Sequence, residues 1–190
     1  PVPYMRRDGV HGGLSYEQLY VLANQRRSIR WYLDQPVPRA LIDKAVELAK
    51  LSPSACNRQP FEVRIIEDRG RIQRILSLAG GCGGFEKEVP MLAVVIGHLR
   101  AFFSERDRHL IHLDSGLFIM SFCYALETLG LSSCCVNFAE EANRETAMRQ
   151  EIHFGKDEKV SLLVAIGYAA PNGMVAVSRK KGLPEILKYE

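Results

Sequence analysis

The sequence predicts an α+β domain with its sheet buried in the middle. Two runs, 91–99 and 160–169, are almost wholly apolar, which is the composition of strands covered on both faces. Around them lie stretches whose apolar side chains recur every three or four positions, as on amphipathic helices. The 190 residues suit one domain, and a domain of this size buries roughly 70% of its unfolded surface. A content of 47% apolar and 25% charged residues is that of a folded chain rather than a disordered one. The net charge is only +3, and Lys and Arg are spread out except at 26–30 and 179–181. The long basic stripe with interleaved aromatics expected of a nucleic-acid binder is missing.

Residues 1–13 carry Pro, Gly and Arg without periodicity and read as part of a loose arm over 1–14, with the domain over 15–190. Ser15 is placed to cap a helix over 16–25, with Gln18 completing a capping box. Leu19, Leu22 and Ala23 supply its expected buried stripe. Asp34-Gln35-Pro36-Val37-Pro38 reads as a turn into a second helix through Leu41, Ile42, Ala45, Val46, Leu48 and Ala49. That helix stops near Leu51, because Pro53 disfavours helical geometry in the residue before it. The β-formers of 62–67 read as a strand with one solvated side. A short helix over 69–79 carries Ile72, Ile75, Leu76 and Leu78. The glycines of 80–84 lack the Lys-Ser/Thr of a phosphate loop and the dinucleotide spacing, so they read as a connection.

Beyond the apolar strand, 101–108 with Phe102 and Phe103 reads as a mobile substrate lid or a plain connection. A long helix from about Asp107 to Leu129 is apolar around nearly its whole circumference, so it is expected to be buried against a sheet and a second subunit. Gly130 ends it in agreement with the C-cap rule. His109 and His112 share a helix face, but no Cys or carboxylate is spaced to complete a metal site, and polar interface groups are the simpler reading. A strand and its exit follow at 132–138, an amphipathic helix at 142–153, and the second buried strand. Five cysteines, odd in number and without a CxxC pair, argue for reduced thiols and a cytoplasmic setting. The vicinal Cys134 and Cys135 read as small hydrophobes, with a redox pair as the alternative. No apolar run reaches the ~20 residues that span a bilayer, and no signal-peptide core is visible at the N-terminus.

Two stretches carry candidate chemistry. Arg26-Arg27-Ser28-Ile29-Arg30 packs three cations and a hydroxyl into five residues. In an extended segment Arg26, Ser28 and Arg30 point one way, and the guanidinium fork suits a phosphate or the edge of a planar heterocycle. The plain alternative is a solvated surface or a favourable charge at a helix C-terminus. Trp31 and Tyr32 read as the anchor of this segment. The second stretch is Ser52-Pro53-Ser54-Ala55-Cys56-Asn57-Arg58-Gln59-Pro60-Phe61, in which two prolines limit the backbone while Ser54, Asn57 and Gln59 present short donors and acceptors. Side chains capping local backbone are its plain alternative.

The order Arg-Arg-Ser-x-Arg, a helix, then Pro-Ser-Ala-x-Asn-x-Gln-Pro-aromatic resembles the FMN-dependent nitroreductase family of nitroreductase and NADH oxidase-like flavoproteins. The resemblance implies a nitroreductase-like fold, with a mostly antiparallel central sheet flanked by helices, in an intertwined homodimer with FMN at the subunit interface. Arg26 and Ser28 would contact the FMN phosphate with Arg27 beside them, and Arg30 would lie along the flavin N1 and O2 edge. Pro53, Ser54, Ala55 and Asn57 would come from the other subunit, with Gln59 supporting that loop. The backbone at Val136 and Asn137 would lie near the flavin N5. Arg179 and Lys180 would reach the phosphate, with Lys181 as a substitute because the spacing is altered, and the tail 183–189 would cross to the partner. Leu113-Asp114-Ser115-Gly116 would open the central helix, and Phe61, where many relatives carry Trp, is read as packing.

The implied activity is transfer of hydride from NAD(P)H, through the flavin N5, to a planar acceptor such as a nitroaromatic or a quinone in a ping-pong cycle. No catalytic side chain is needed beyond Arg30 tuning the N1 and O2 edge, since the cofactor carries the chemistry. Two alternatives stand beside it. One is a specialised enzyme of the same fold, for reductive dehalogenation or flavin breakdown; the other is a non-catalytic flavin- or nucleotide-binding regulatory module. Neither a metal nor a nucleic-acid or membrane partner is expected.

Overall fold

The structure, a computed structural model, describes residues 13–190, so the expected arm over 1–14 lies almost entirely outside the described residues. Four strands, β1 (Phe61–Ile66), β2 (Met91–His98), β3 (Ser132–Val136) and β4 (Glu158–Gly167), make one antiparallel sheet in the order β1-β2-β4-β3. The two apolar runs occupy its middle, because only side chains content on both faces can fill central strands. Met91 lies opposite Ile166 and His98 opposite Glu158, with a register irregularity between Val95 and Ile96.

Among the described residues there are also six α-helices: α1 (Tyr16–Gln25), α2 (Arg39–Ala49), α3 (Arg69–Ala79), α4 (Leu110–Thr128), α5 (Ala142–Glu151) and the short α6 (Leu183–Ile186). On one face of the sheet Leu92, Val94, Ile96, Leu163 and Ala165 meet Ile72, Ile75 and Leu76 of α3 and Met148 of α5. On the other Met91, Ala93, Val95, Val164 and Ile166 meet Ala45 and Ala49 of α2 and Phe118 and Phe122 of α4. At β2, Gly97 lets α4 approach: a Cβ there would stand 2.8 Å from Ile111 Cβ.

The local signals place α1 and α3 with the expected bounds, and the capping box at Ser15 and Gln18 is formed. One expectation about burial is corrected, while the long helix, expected to lie against the sheet and a second subunit, keeps an open row. The stripe of α1 is not buried: Leu19 is exposed, and no residue of the helix is fully covered. On α4, Leu113, Leu117 and Met120 remain 54%, 41% and 37% exposed, on a row with the spacing of one helix face. Both faces point outward, and their apolar character has no partner among the described residues. With the turn before it, α4 makes a 24-residue stretch, Glu105–Thr128, long and apolar enough to cross a bilayer. That departs from the expectation that no such run exists, yet here the helix packs on the sheet and α2 as a core element.

A buried carboxylate fastens the far end of the sheet. Glu158 accepts hydrogen bonds from the Gly155 N–H at 2.7 Å and from Arg100 Nη1 at 2.8 Å. These, the Gly155 N–H first, hold its carboxyl below the ordinary value of 4.5 despite burial. A depressed carboxyl contributes stability that is present above its unfolded value and lost as pH falls through the folded one. Wild-type thermal midpoints therefore drop as pH falls below about 4.5, whereas Glu158→Gln lacks this component of the drop and starts lower at neutral pH. Parallel thermal curves for the two proteins across the acid range would refute this role.

Candidate functional site

The Arg-rich segment leaves α1 at Arg26, whose N–H still donates to Leu22 O. It then runs extended along the outer edge of β3. Ser28 forms a parallel bridge with Ser133, and the Ile29 N–H donates to Ser133 O at 3.0 Å. Tyr32 bridges to Ala169 and is buried, its hydroxyl donating to Ile29 O at 2.7 Å. Burial pushes that phenol well above its ordinary range, so it serves as a neutral donor and as the expected anchor. Trp31, expected to share this work, is 45% exposed.

The cations of this segment are held but not neutralised. Among the described residues Arg26 Nε is buried without a hydrogen-bond partner, and Arg27 donates only to Arg26 O. Burial pushes the Cys134 thiol up while Arg30, Ser28 and Arg26 all oppose it, which puts the three side chains in one neighbourhood. Val136 closes β3 beside them, buried, and Asn137 follows, exposed. A buried guanidinium nitrogen lacking an acceptor is what an absent anion would leave. With Arg27, Ser28 and Arg30 around it, this edge fits a phosphorylated ligand such as FMN.

The second stretch is built differently from the expectation of a proline-stiffened loop. Cys56, Asn57 and Gln59 take left-handed φ values of 51°, 54° and 49°, a conformation that persists in non-glycine residues only where surroundings enforce it. Three ties enforce it here. The Ala55 N–H donates to both carboxylate oxygens of Asp114 at 3.2 and 3.1 Å, Ser54 Oγ accepts from the Gln59 N–H at 3.0 Å, and the Gln59 side-chain amide donates to Asn57 O at 3.2 Å. Asp114 sits on α4 with 1% exposure. Its role in holding Ala55 was not read from the sequence, although a carboxylate in an otherwise apolar turn of α4 was the visible sign. Arg58 lies over the Phe102 ring and donates to Ala101 O at 2.8 Å, which ties the expected lid segment to this loop. Phe61 packs on Phe118 with ring centroids 4.8 Å apart, the packing role expected of it.

The two stretches are not brought together within the chain. The loop leads into β1 at Phe61, opposite Gly97, whereas the Arg segment follows β3 near the row of Ile166 and Met91. They occupy opposite edges and opposite ends of the sheet, about 19 Å apart across the strands and about 20 Å along them. Arg179 and Lys180 stand in the exposed tail, which starts against Trp31 at Gly173, where a Cβ would come within 2.9 Å of the Trp31 Cβ. Among the described residues no three His, Cys, Asp or Glu side chains gather as a metal site. His112 instead pairs with Glu140 at 2.9 Å, beside a hollow that His109, Arg108 and Lys159 also line.

The chain is thus an antiparallel sheet between helical layers, with an Arg segment suited to an anion on one edge and a polar loop on the other. The sequence profile of the nitroreductase family matches residues 23–90 and 81–168, and the chain belongs to that family. It is 28% identical over 121 residues to an NAD(P)H FMN reductase of Bacillus subtilis, a match covering 56% of this chain and 49% of that protein. It is 19% identical over 193 residues to an iodotyrosine deiodinase of Hydra vulgaris, covering 88% and 71% of the two. The fold matches that of a Desulfovibrio desulfuricans protein solved in complex with FMN, with a TM-score of 0.76, 23% identity, and coverage of 93% and 98%. The matches span about half or less of the first curated relatives, 49%, 44% and 41% of their lengths.

Proposed function

We propose that this chain is an FMN-dependent oxidoreductase that works as a homodimer, passing hydride from NAD(P)H to a planar acceptor such as a nitroaromatic or a quinone by a ping-pong cycle. One observation carries the reading: two halves of a site suited to FMN lie at opposite corners of one sheet, so a second copy is needed to join them. The exposed apolar rows of α1 and α4 supply surface for that union. A groove between α2 and β1, lined by Ile42, Val46, Phe61 and Ile65 and rimmed by Asp43 and Glu47, suits the apolar and basic tail of a partner. Residues 15–190 act in this reading as one flavin-binding unit, and the reduced thiols support a cytoplasmic setting.

When bound, FMN supplies the two-electron carrier that links the nicotinamide donor to the acceptor. The chain's own residues bind and orient it. Arg26, Arg27 and Ser28 hold the phosphate, aided by Arg179 and Lys180 of the tail. Pro53, Ser54, Ala55 and Asn57 of the partner copy cover the ring and ribityl chain, with Gln59 bracing them. Backbone at Val136 and Asn137 faces N5. Arg30, exposed and without a hydrogen bond among the described residues, would set its permanent charge beside the N1 and O2 edge, where it would favour loss of the N1 proton and raise the reduction potential.

The freshly purified protein is expected to be yellow and to bleach under anaerobic NADH or NADPH. Arg30→Ala is expected to keep the colour while its potential falls and its reduction slows. A colourless protein that takes up no added FMN would overturn the reading, and equal potentials in wild type and Arg30→Ala would remove the role of Arg30.

A second reading, reductive dehalogenation, is favoured by the length of the match to the Hydra vulgaris deiodinase. The two separate on the acceptor. The reduced protein reoxidised by a halogenated phenol with release of halide, and not by a nitroaromatic or quinone, would select the second.

A further inference from the structure

The sequence drew attention to Cys134 and Cys135 as neighbours, but the strand separates them. Successive residues of β3 face opposite layers. Cys134 is buried in the core shared with α3 and α5, whereas Cys135 pairs in register with Val164, on the α4 side, and is exposed at the sheet edge. There its sulfur stands 3.7 Å from that of Cys123, a buried residue of α4. We infer that Cys123 and Cys135 form a reversible disulfide when the protein meets a hydroperoxide, making this corner of α4 and β3 a redox-modification site.

The placement gives each sulfur its part. Cys135 is open to an oxidant, while Cys123 is shielded from solvent and already within reach of it. Either sulfur can donate in the bond between them, and this bond, with Ser133 and the Arg26 guanidinium, lowers Cys123 to about 7 against the effect of burial. Loss of a second proton, from Cys135, is pushed far up, first by the same bond and then by the packing of its inner side against α4, while its outer side stays open at the sheet edge. Glu127 opposes the thiolate, but burial raises its own carboxyl and so moderates its charge. One thiolate per pair is therefore present near neutral pH, which is the nucleophilic form.

The step balances as follows. With the shared proton moved to Cys123, the Cys135 sulfur attacks the peroxide O–O bond, takes up one oxygen as sulfenic acid, and releases an alcohol or water after protonation. The Cys123 sulfur then attacks the sulfenic sulfur, the S–S bond forms, and hydroxide leaves with the remaining thiol proton as water. Two thiols give up two electrons and two protons, and the hydroperoxide is reduced. A dithiol reductant reverses the bond by exchange. Such a bond in a reducing compartment is transient and sensing rather than structural.

The test uses the full chain, whatever flavin it carries, treated with hydrogen peroxide, quenched, alkylated and weighed intact. The expected result is loss of two of the five thiols, a mass about 2 Da lower before alkylation, a Cys123–Cys135 cross-linked peptide, and full recovery with dithiothreitol. The rate should rise with pH through about 7. Cys134→Ala should behave as wild type, whereas Cys135→Ser and, independently, Cys123→Ala should keep all remaining thiols out of any disulfide. A cross-link through Cys134, a dimer joined by disulfide, accumulation of over-oxidised Cys135 without a bond, or no thiol loss would each overturn the inference. Because the readout is mass, it is independent of whether the flavin reading holds.

Discussion

Arg26→Ala is expected to strip the protein of much of its FMN, weakening retention by roughly ten- to a hundredfold. The reason is local. The Arg26 guanidinium carries a buried Nε with no partner, so the desolvation of a cation is already present and an anion supplies the missing bond. A hydrogen bond to a charged group contributes about 1.5–3 kcal/mol, and the neighbouring Arg27 and Arg30 do not replace its geometry. Equilibrium dialysis against FMN reads the loss directly, and an affinity within threefold of wild type would sink the assignment. The same variant tests how the site is shared. Arg26→Ala mixed and refolded with Asn57→Ala should recover about a quarter of the flavin sites, because heterodimers of a twofold assembly contain one site with both halves intact. No recovery, from two proteins each shown to dimerise, would place both halves in one chain.

Asp114→Ala should cost nearly as much while touching no ligand. Its two oxygens accept the Ala55 N–H at the start of a loop in which three residues hold left-handed backbone, each conformation costing about 1–3 kcal/mol unless enforced. Without the carboxylate, Ala55 loses its partner and the loop relaxes to other conformers. FMN affinity is expected to fall at least tenfold with the far-UV spectrum unchanged. Asp114→Asn, which keeps one accepting oxygen, should recover part of it. A merely structural role would lower the thermal midpoint and leave the affinity of the folded fraction intact, and that outcome would remove Asp114 as a positioning residue.

Much of this was legible along the chain because the signals are local. Ser15 and Gln18 mark the start of α1 through bonds three residues apart, and 69–79 shows its helix by spacing alone. Central strands declare themselves by apolar side chains on both faces. Burial was less legible. Leu19 and Leu117 look like core residues to any periodicity, since the pattern records that a face seeks apolar company and not whether the company lies in the same chain.

By itself the sequence determined most of the elements, though not the short α6, along with the two central strands and the two motifs by which the chain resembles the nitroreductase family. Tertiary structure alone decided that Cys123 rather than Cys134 meets Cys135, that Asp114 holds Ala55, and that the Arg segment and the polar loop stand on opposite edges. Periods of 2 and 3.6 residues describe which way side chains point from one element. The strand order β1-β2-β4-β3 arises from how whole layers pack, and it is that order which separates the Arg segment from the polar loop within one chain.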